Sequence, residues 1–222
     1  MEPSFRRIFR VLALSMAFGG WTHAQDVKAR KLGPDTAKSI GAAKLDPAFQ
    51  TTKLNRVAVL PFANTAQHRD PATLISTQLV AQLSQLHPEY KFIPPDESIN
   101  FVSSSGLNDE FNVFLGDYLA SGTARKDFLD NLRNKLQIDA VLVGHITSWG
   151  KSNVPLTYRG RLTGKTRRIF LIGVDMNLYR TEDGRRIWYG KDVIAPKNEA
   201  QLQQAGEVIG EVFARFFGRT PY

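Results

Sequence analysis

The residues of this chain that could carry out catalysis or bind a metal are few and scattered. Four histidines and no cysteine occur in 222 residues, so a metal site would need several histidine and carboxylate ligands that converge. His68 lies near Asp70, and His145 has no histidine or carboxylate two residues away on either side. We therefore predict no metal site. Both histidines are interpreted as packed or solvated side chains, with a ligand or catalytic role as the alternative.

Two short motifs share letters with catalytic sequences but lack their spacing. Residues 103–106 read SSSG and offer hydroxyl groups without the G-x-S-x-G turn of a serine hydrolase. Residues 160–166 read GRLTGKT, with three residues between the glycines, whereas a phosphate-binding loop needs four and a helix after them. We therefore predict that the protein is not an enzyme and uses no cofactor, with a hydrolase as the weakest alternative.

A basic segment with nearby aromatic residues is the strongest candidate for an interaction site. It covers residues 151–168, which contain six Lys and Arg and no Asp or Glu. Arginine and aromatic side chains anchor many protein interfaces, and clustered cations also bind anionic lipid or glycan surfaces. A solvated loop is the alternative. The candidate interaction residues are Trp149, Lys151, Tyr158, Arg159, Arg161, Lys165, Arg167 and Arg168.

The first half of the chain predicts parallel strands joined by helices. Short apolar runs at residues 56–62, 90–93 and 140–146 are typical of buried strands. A helix is predicted after the first strand, and residues 96–137 are predicted to be mostly helical. Because strands joined through helices are usually parallel, residues 140–146 are expected to form a central parallel strand.

The second half predicts an antiparallel hairpin. Residues 168–180 alternate, and the set that includes Val174 and Leu178 is wholly apolar, so it should face the core. Asp175 has the opposite parity and is expected to face solvent or a partner. Residues 181–191 read as a turn followed by the returning strand.

A last helix completes the expected domain. It begins near residue 198, and its Val212 and Phe216 are expected to share the core with the hairpin. Residues 148–167 are expected to form a loop between strands. The predicted fold class is a single α/β domain whose mixed sheet combines a parallel β-α-β-α-β start with an antiparallel hairpin, flanked by helices.

The amino-terminal residues predict export from the cytoplasm. Three arginines within the first ten residues precede an apolar run at 11–18, far shorter than the ~20 residues that span a membrane. Thr22 and Ala24 then supply the small residues at positions −3 and −1 of a cleavage site. We predict a signal peptide over residues 1–24, cleaved after Ala24, with an uncleaved amphipathic anchor as the alternative. Because amino-terminal lipidation needs a cysteine, we expect a periplasmic protein that is not a lipoprotein.

Export and composition also limit the expected partners. An exported protein does not meet ATP, NAD or nucleic acid, and the net charge of +8 suits contact with anionic surfaces. Residues 25–53 mix lysines with Gly, Ala, Pro and Thr and predict a flexible tether. The folded domain is therefore expected over residues 54–218.

Three segments carry a resemblance to a family of bacterial envelope domains. They are RVAVLPF at residues 56–62, IDAVLVGHIT at 138–147 and VDMNLYRTEDGRRIW at 174–188. The sequence over residues 54–217 resembles the α/β domain of the TolB amino-terminal domain, the curli secretion lipoprotein CsgG and the LpoB-type activators of penicillin-binding proteins. The resemblance implies a docking domain of an envelope assembly.

Two departures from that family narrow the expectation. The chain has no cysteine, whereas most of those relatives are lipoproteins. The first half of residues 148–180 lacks a lipid-facing alternation, so a pore is not expected. We predict a non-enzymatic adaptor or regulatory subunit of an envelope assembly that binds a protein partner. The alternative is a peripheral protein that binds anionic lipid or cell-wall polymer.

Overall fold

The fold alternates strands and helices and then closes with a long hairpin and one helix. The computed structural model describes residues 30–31, 41–63, 69–158, 161–196 and 200–219. The strands are β1 (Arg30–Lys31), β2 (Ala42–Leu45), β3 (Arg56–Val59), β4 (Lys91–Ile93), β5 (Ala140–Tyr158), β6 (Arg161–Arg180) and β7 (Arg186–Ala195). The helices are α1 (Ala48–Thr51), α2 (Arg69–Leu86), α3 (Pro95–Ser104), α4 (Asn108–Ser121), α5 (Lys126–Leu136) and α6 (Ala200–Phe216).

One mixed sheet contains all seven described strands. Its order is β1-β7-β6-β5-β3-β4, and β2 pairs with β7 outside that path. Strands β4, β3 and β5 are parallel, whereas β5, β6 and β7 are antiparallel neighbours. The predicted fold class is therefore confirmed: a parallel start with helical connections is extended by an antiparallel hairpin.

Helices α2 and α6 cover one face of the sheet. Val174 and Leu178 of β6 are completely buried there, in one cluster with Val212 and Phe216 of α6. The core contacts predicted from the alternation of residues 168–180 are thus confirmed. Trp188 of β7 is buried in the same cluster.

Helices α3, α4 and α5 cover the other face. Phe114 of α4 and Phe128 of α5 lie with their ring centroids 4.9 Å apart and pack in a cluster with Val141 and Val143 of β5. Because the first part of β5, residues 140–143, is covered on both faces, its residues are apolar at both parities, as in the strands of parallel sheets.

The structure differs from the expected tether at residues 42–51. Strand β2 pairs antiparallel with β7, and Leu45, Ala48 and Phe49 pack against the core. A carboxylate oxygen of Asp46 accepts the Ala48 N–H at 2.8 Å and begins α1. A strand or helix of only four residues is too short to show a hydrophobic period, so neither element is detectable in the sequence. Among the described residues, no helix has the length and apolarity that a membrane crossing requires.

Candidate interaction site: the basic arm

Strands β5 and β6 continue far beyond the rest of the sheet. The pairing of β3 with β5 ends at Leu142, followed by an isolated bridge between Ala63 and His145, and the pairing of β7 with β6 ends at Ile172. Beyond these points the described parts of β5 and β6 pair only with each other, up to Tyr158. We call residues 148–158 and 161–171 the basic arm. At ~3.3 Å per residue it is roughly 35 Å long.

The loop expected over residues 148–167 is therefore wrong. The segment is part of a two-stranded ribbon, which includes the register shifts near Ser148 and Thr157. Beyond Trp149 and Phe170, the described residues 151–153, 155 and 161–168 of the ribbon are exposed on both faces, so their sequence has no reason to alternate between apolar and polar residues. The composition of the arm, with its many cations and with Gly150 and Gly164, therefore resembles that of a loop.

The structure gathers the candidate cations on this arm. Lys151, Arg161, Lys165, Arg167 and Arg168 are all exposed. None of the five forms a salt bridge with another described residue. Their charges are therefore available to a partner.

The candidate residue Tyr158 ends the described part of β5. The backbone of Tyr158 pairs with Arg161 in the last register position. The side chain of Tyr158 and the whole of Arg159 lie outside the described residues.

Trp149 and Phe170 form the base of the arm. Their rings meet edge to face with centroids 5.8 Å apart, and both side chains pack against the core cluster of α2 and α6. Lys151 is the cross-strand partner of Phe170 and therefore shares its face. Trp149 thus joins the arm to the domain, and the exposed cations lie beyond it.

The cations occupy both faces of the ribbon. Arg168 lies two residues from Phe170 and shares its face, whereas Arg167 lies on the opposite face because neighbouring strand residues alternate. An approaching anionic group therefore meets a cation from either side. No acidic residue occurs between Asp139 and Asp175, so the attraction is not offset within the arm.

The free edges of the arm are poor templates for another strand. Pro155 lies within β5 and has no N–H to donate, and the register shifts between Pro155 and Thr157. Proline, irregular register and exposed cations are the features that protect edge strands from pairing. Addition of a further strand to these edges is therefore disfavoured, and the side chains of the arm are its accessible groups.

Near the start of the arm, a polar network lies under α4. The Tyr118 hydroxyl donates to Asp175 Oδ1 at 3.0 Å, and Asn177 Nδ2 donates to the Tyr118 oxygen at 2.9 Å. Arg186 Nη1 donates to Asn177 Oδ1 at 3.2 Å. Asp175, predicted to face solvent or a partner, is half-buried instead, because α4 covers that face of the sheet and Tyr118 binds the carboxylate.

Sequence reasoning missed the other members of this network. Asn177 and Tyr118 are buried. A polar residue at the parity opposite the core, such as Asn177, is ordinarily expected to face solvent. A signal was nevertheless present in α4. The spacing of Phe111, Phe114 and Tyr118 forms an apolar stripe, and such a stripe must pack against a second buried face of the sheet.

His145 lies beside the same network. Its cross-strand partner is Asp175, and its ring meets the Tyr118 ring edge to face at 6.5 Å. Burial lowers the pKa of His145, and the nearby Lys191 lowers it further, against an opposing effect of Asp175. Burial raises the pKa of Asp175 above its ordinary value, although Tyr118, His145 and Lys191 oppose the shift. Burial also raises the pKa of Tyr118.

Asp175→Asn should change how stability depends on pH. The raised pKa means that the folded state holds the Asp175 proton more tightly than the unfolded chain, whose value is near 3.8. Stability from this group is therefore present below 3.8 and lost as pH rises through the folded pKa. Asparagine keeps an oxygen for Tyr118 and does not ionise. Urea unfolding should show the variant gaining stability relative to wild type across this window.

The exposed Asp96 of α3 supplies the control. Asp96→Asn removes a first-turn carboxylate that makes no hydrogen bond to a described residue, so it should cost at most about 0.3–1 kcal/mol and reports the loss of one negative charge by itself. Parallel stability profiles for wild type and Asp175→Asn would contradict the raised pKa of Asp175.

Asp139 and residues 103–105, which the sequence also singled out, stabilise the backbone at the ends of secondary-structure elements. Asp139 Oδ2 accepts the backbone N–H groups of Asn55 at 2.7 Å and Arg56 at 3.0 Å, which fixes the start of β3. Residues 103–105 close α3, and His68 lies outside the described residues. Within the described ranges no three His, Asp or Glu side chains are grouped as metal ligands.

Comparisons with known proteins find similarity in solved structures. No protein-family model matches the chain, and no curated protein matches it. The lipoprotein GNA1162 from Neisseria meningitidis is 17% identical, with a TM-score of 0.46, over 72% of this chain and 99% of that one. The PelC dodecamer from Paraburkholderia phytofirmans is 14% identical, with a TM-score of 0.44, over 78% and 92%. The LpoB C-terminal domain from Salmonella enterica is 14% identical, with a TM-score of 0.39, over 64% and 84%.

These structures bear on the resemblance and on the localisation. An LpoB domain is among them, and the likeness to TolB and CsgG stays a prediction. The structure from Neisseria is titled a lipoprotein. This contradicts the predicted periplasmic protein without a lipid anchor, and that prediction is withdrawn. It had rested on the absence of cysteine.

Proposed function

We propose that this chain is a non-enzymatic adaptor or regulatory subunit of a cell-envelope assembly, and that the basic arm binds its protein partner. The observation that carries the proposal is the arm itself. A ribbon that leaves the body of the sheet and exposes five described cations contributes little to the core. Exposed arginines that form no internal ion pair are well placed to bind and to steer an acidic partner.

A second candidate function rests on the apolar residue near the tip. Leu162 is 75% exposed and follows Arg161, and such a pairing also suits an anionic lipid or cell-wall polymer. In that case the arm would insert its tip among headgroups and would need no protein partner. The two functions differ in what the arm contacts in the cell.

Charge reversal of the arm should abolish partner capture without unfolding the protein. The arm variant carries Arg161→Glu, Lys165→Glu and Arg167→Glu. We expect crosslinking in intact cells, followed by mass spectrometry, to recover one dominant protein with wild type and at least ten-fold less with this variant. Since the three side chains are exposed, the thermal unfolding midpoint should stay close to wild type.

A control with the same change in net charge separates the arm from overall charge. Three exposed lysines of the body, distributed over the loop before β3, strand β4 and helix α5, are reversed together: Lys53→Glu, Lys91→Glu and Lys135→Glu. This control should capture the partner as wild type does. Equal capture by the arm variant would overturn the proposal. Arm-dependent sedimentation with phosphatidylglycerol vesicles, without a captured protein, would favour the lipid function instead.

A further inference from the structure

The helices on one face of the sheet carry the opposite charge to the arm. Residues 92–124, which span α3 and α4, contain five Asp and Glu and no Lys or Arg. Four of them, Asp96, Glu97, Asp109 and Glu110, are exposed and form no ion pair with a described residue. The fifth, Asp117, lies 3.9 Å from Arg125.

The outer side of α4 combines these acids with exposed apolar side chains. Glu110, Val113 and Asp117 lie along one side of the helix, because residues three and four apart are neighbours. Val113 is 46% exposed and Leu119 is 45% exposed. The opposite side of α4 packs on the sheet through Phe111, Phe114 and Tyr118, so the outer side is free to bind a partner.

The arm and this helix face are complementary in both charge and polarity. The arm presents cations around the exposed Leu162, and α4 presents carboxylates around Val113. Within one copy, no salt bridge between described residues joins the arm to α3 or α4. The arm-to-arm contact between two copies is disfavoured, since it brings cations together along edges that also resist strand pairing.

We propose that the basic arm of one copy docks on the outer face of α4 of a second copy. The inference rests on the proposed function and names a protein partner for the arm. Cations of the arm pair with Asp109, Glu110 and Asp117, and Leu162 packs near Val113. The contact joins two different surfaces, so each docked copy still offers one free arm or one free α4 face. Such head-to-tail contacts close into rings when the rotation permits and otherwise continue as filaments.

A charge exchange between the two surfaces tests the contact. An extended arm variant adds Lys151→Glu and Arg168→Glu to the three substitutions above, because those three alone would only neutralise the six cations of residues 151–168. It makes the arm acidic, and a helix variant, Asp109→Lys with Glu110→Lys, makes α4 basic. In sedimentation velocity at low salt, wild type should form species larger than a monomer, and each variant should be a monomer by itself. An equimolar mixture of the two variants should associate again, because the acidic arm of one meets the basic α4 of the other.

Salt and a control define the chemistry of the contact. Wild-type association should fall by at least ten-fold between about 0.1 M and about 1 M salt, as the Debye length shortens from about 10 Å to about 3 Å. The body control with Lys53→Glu, Lys91→Glu and Lys135→Glu should associate as wild type does. Thermal unfolding of the helix variant should show that α4 is intact, because each lost first-turn carboxylate and each lysine that replaces it costs only about 0.3–1 kcal/mol.

The possible results separate this inference from the proposed function. A monomeric wild type, or two variants that stay monomeric when mixed, would overturn the contact between copies. If the arm still captured another protein in cells, the adaptor function would stand without it. If wild type associated through the arm and α4 but captured no other protein, the contact would stand and the adaptor function would fail.

Discussion

Val143→Asp should yield no folded protein. Val143 is completely buried in β5, between the sheet and helices α3 to α5, and no cation among the described residues of that cluster could pair with a carboxylate there. An unpaired charge in an apolar core costs several kcal/mol or forces protonation, against a total stability of about 5–15 kcal/mol for a typical domain. Circular dichroism and soluble yield measure the result.

Two further variants keep the prediction for Val143 specific. Ser152→Asp places the same charge on an exposed position of the same strand and should leave the unfolding midpoint close to wild type. Val143→Ala removes apolar volume without adding charge and should cost roughly 2 kcal/mol. A Val143→Asp protein with wild-type stability would mean that β5 is not the central strand.

Trp188→Ala should cost about 3–5 kcal/mol of unfolding free energy. The indole is buried in the cluster under α6, with its ring centroid 5.7 Å from that of Phe217 and 6.4 Å from that of Phe213. Its Nε1 donates to the Arg219 carbonyl at 3.1 Å, so the truncation also leaves that oxygen without its donor. Urea unfolding of the full chain gives the loss directly.

A conservative variant measures how much of the loss comes from removing the aromatic ring at Trp188. Trp188→Phe keeps an aromatic ring against Phe213 and should lose clearly less than Trp188→Ala. Trp149→Ala, at the half-buried base of the arm, should also lose less because less apolar area returns to water. A loss at Trp188 no greater than at Trp149 would contradict the position of Trp188 in the core.

Sequence patterns were sufficient where a single buried face set the period. The alternation of residues 168–180 identified Val174 and Leu178 as core positions, and the spacing of α6 identified Val212 and Phe216, because each of those elements packs its apolar side on one layer. The parallel direction of strands β3, β4 and β5 followed from the helices between them.

The patterns failed where burial did not follow one face. Asp175 and Asn177 lie on the second covered face of the sheet, and their polar types concealed it until Tyr118 supplied their hydrogen bonds. The arm failed for the opposite reason, since a ribbon exposed on both faces imposes no period. The composition of residues 151–168 nevertheless located the candidate site, because unpaired cations can be counted without knowing the backbone.

The pairing of β2 with β7 determines when this sheet can be completed. Leu45 lies opposite Trp188, so the two strands come from opposite ends of the chain and close a loop of roughly 140 residues, which is entropically costly and slow compared with local contacts. During synthesis, β2 emerges early and has no partner until β7 follows. Until β7 follows, the edge of β6 is unpaired and the core residues that later pack against Trp188 are exposed. The chain most needs protection from aggregation during that interval.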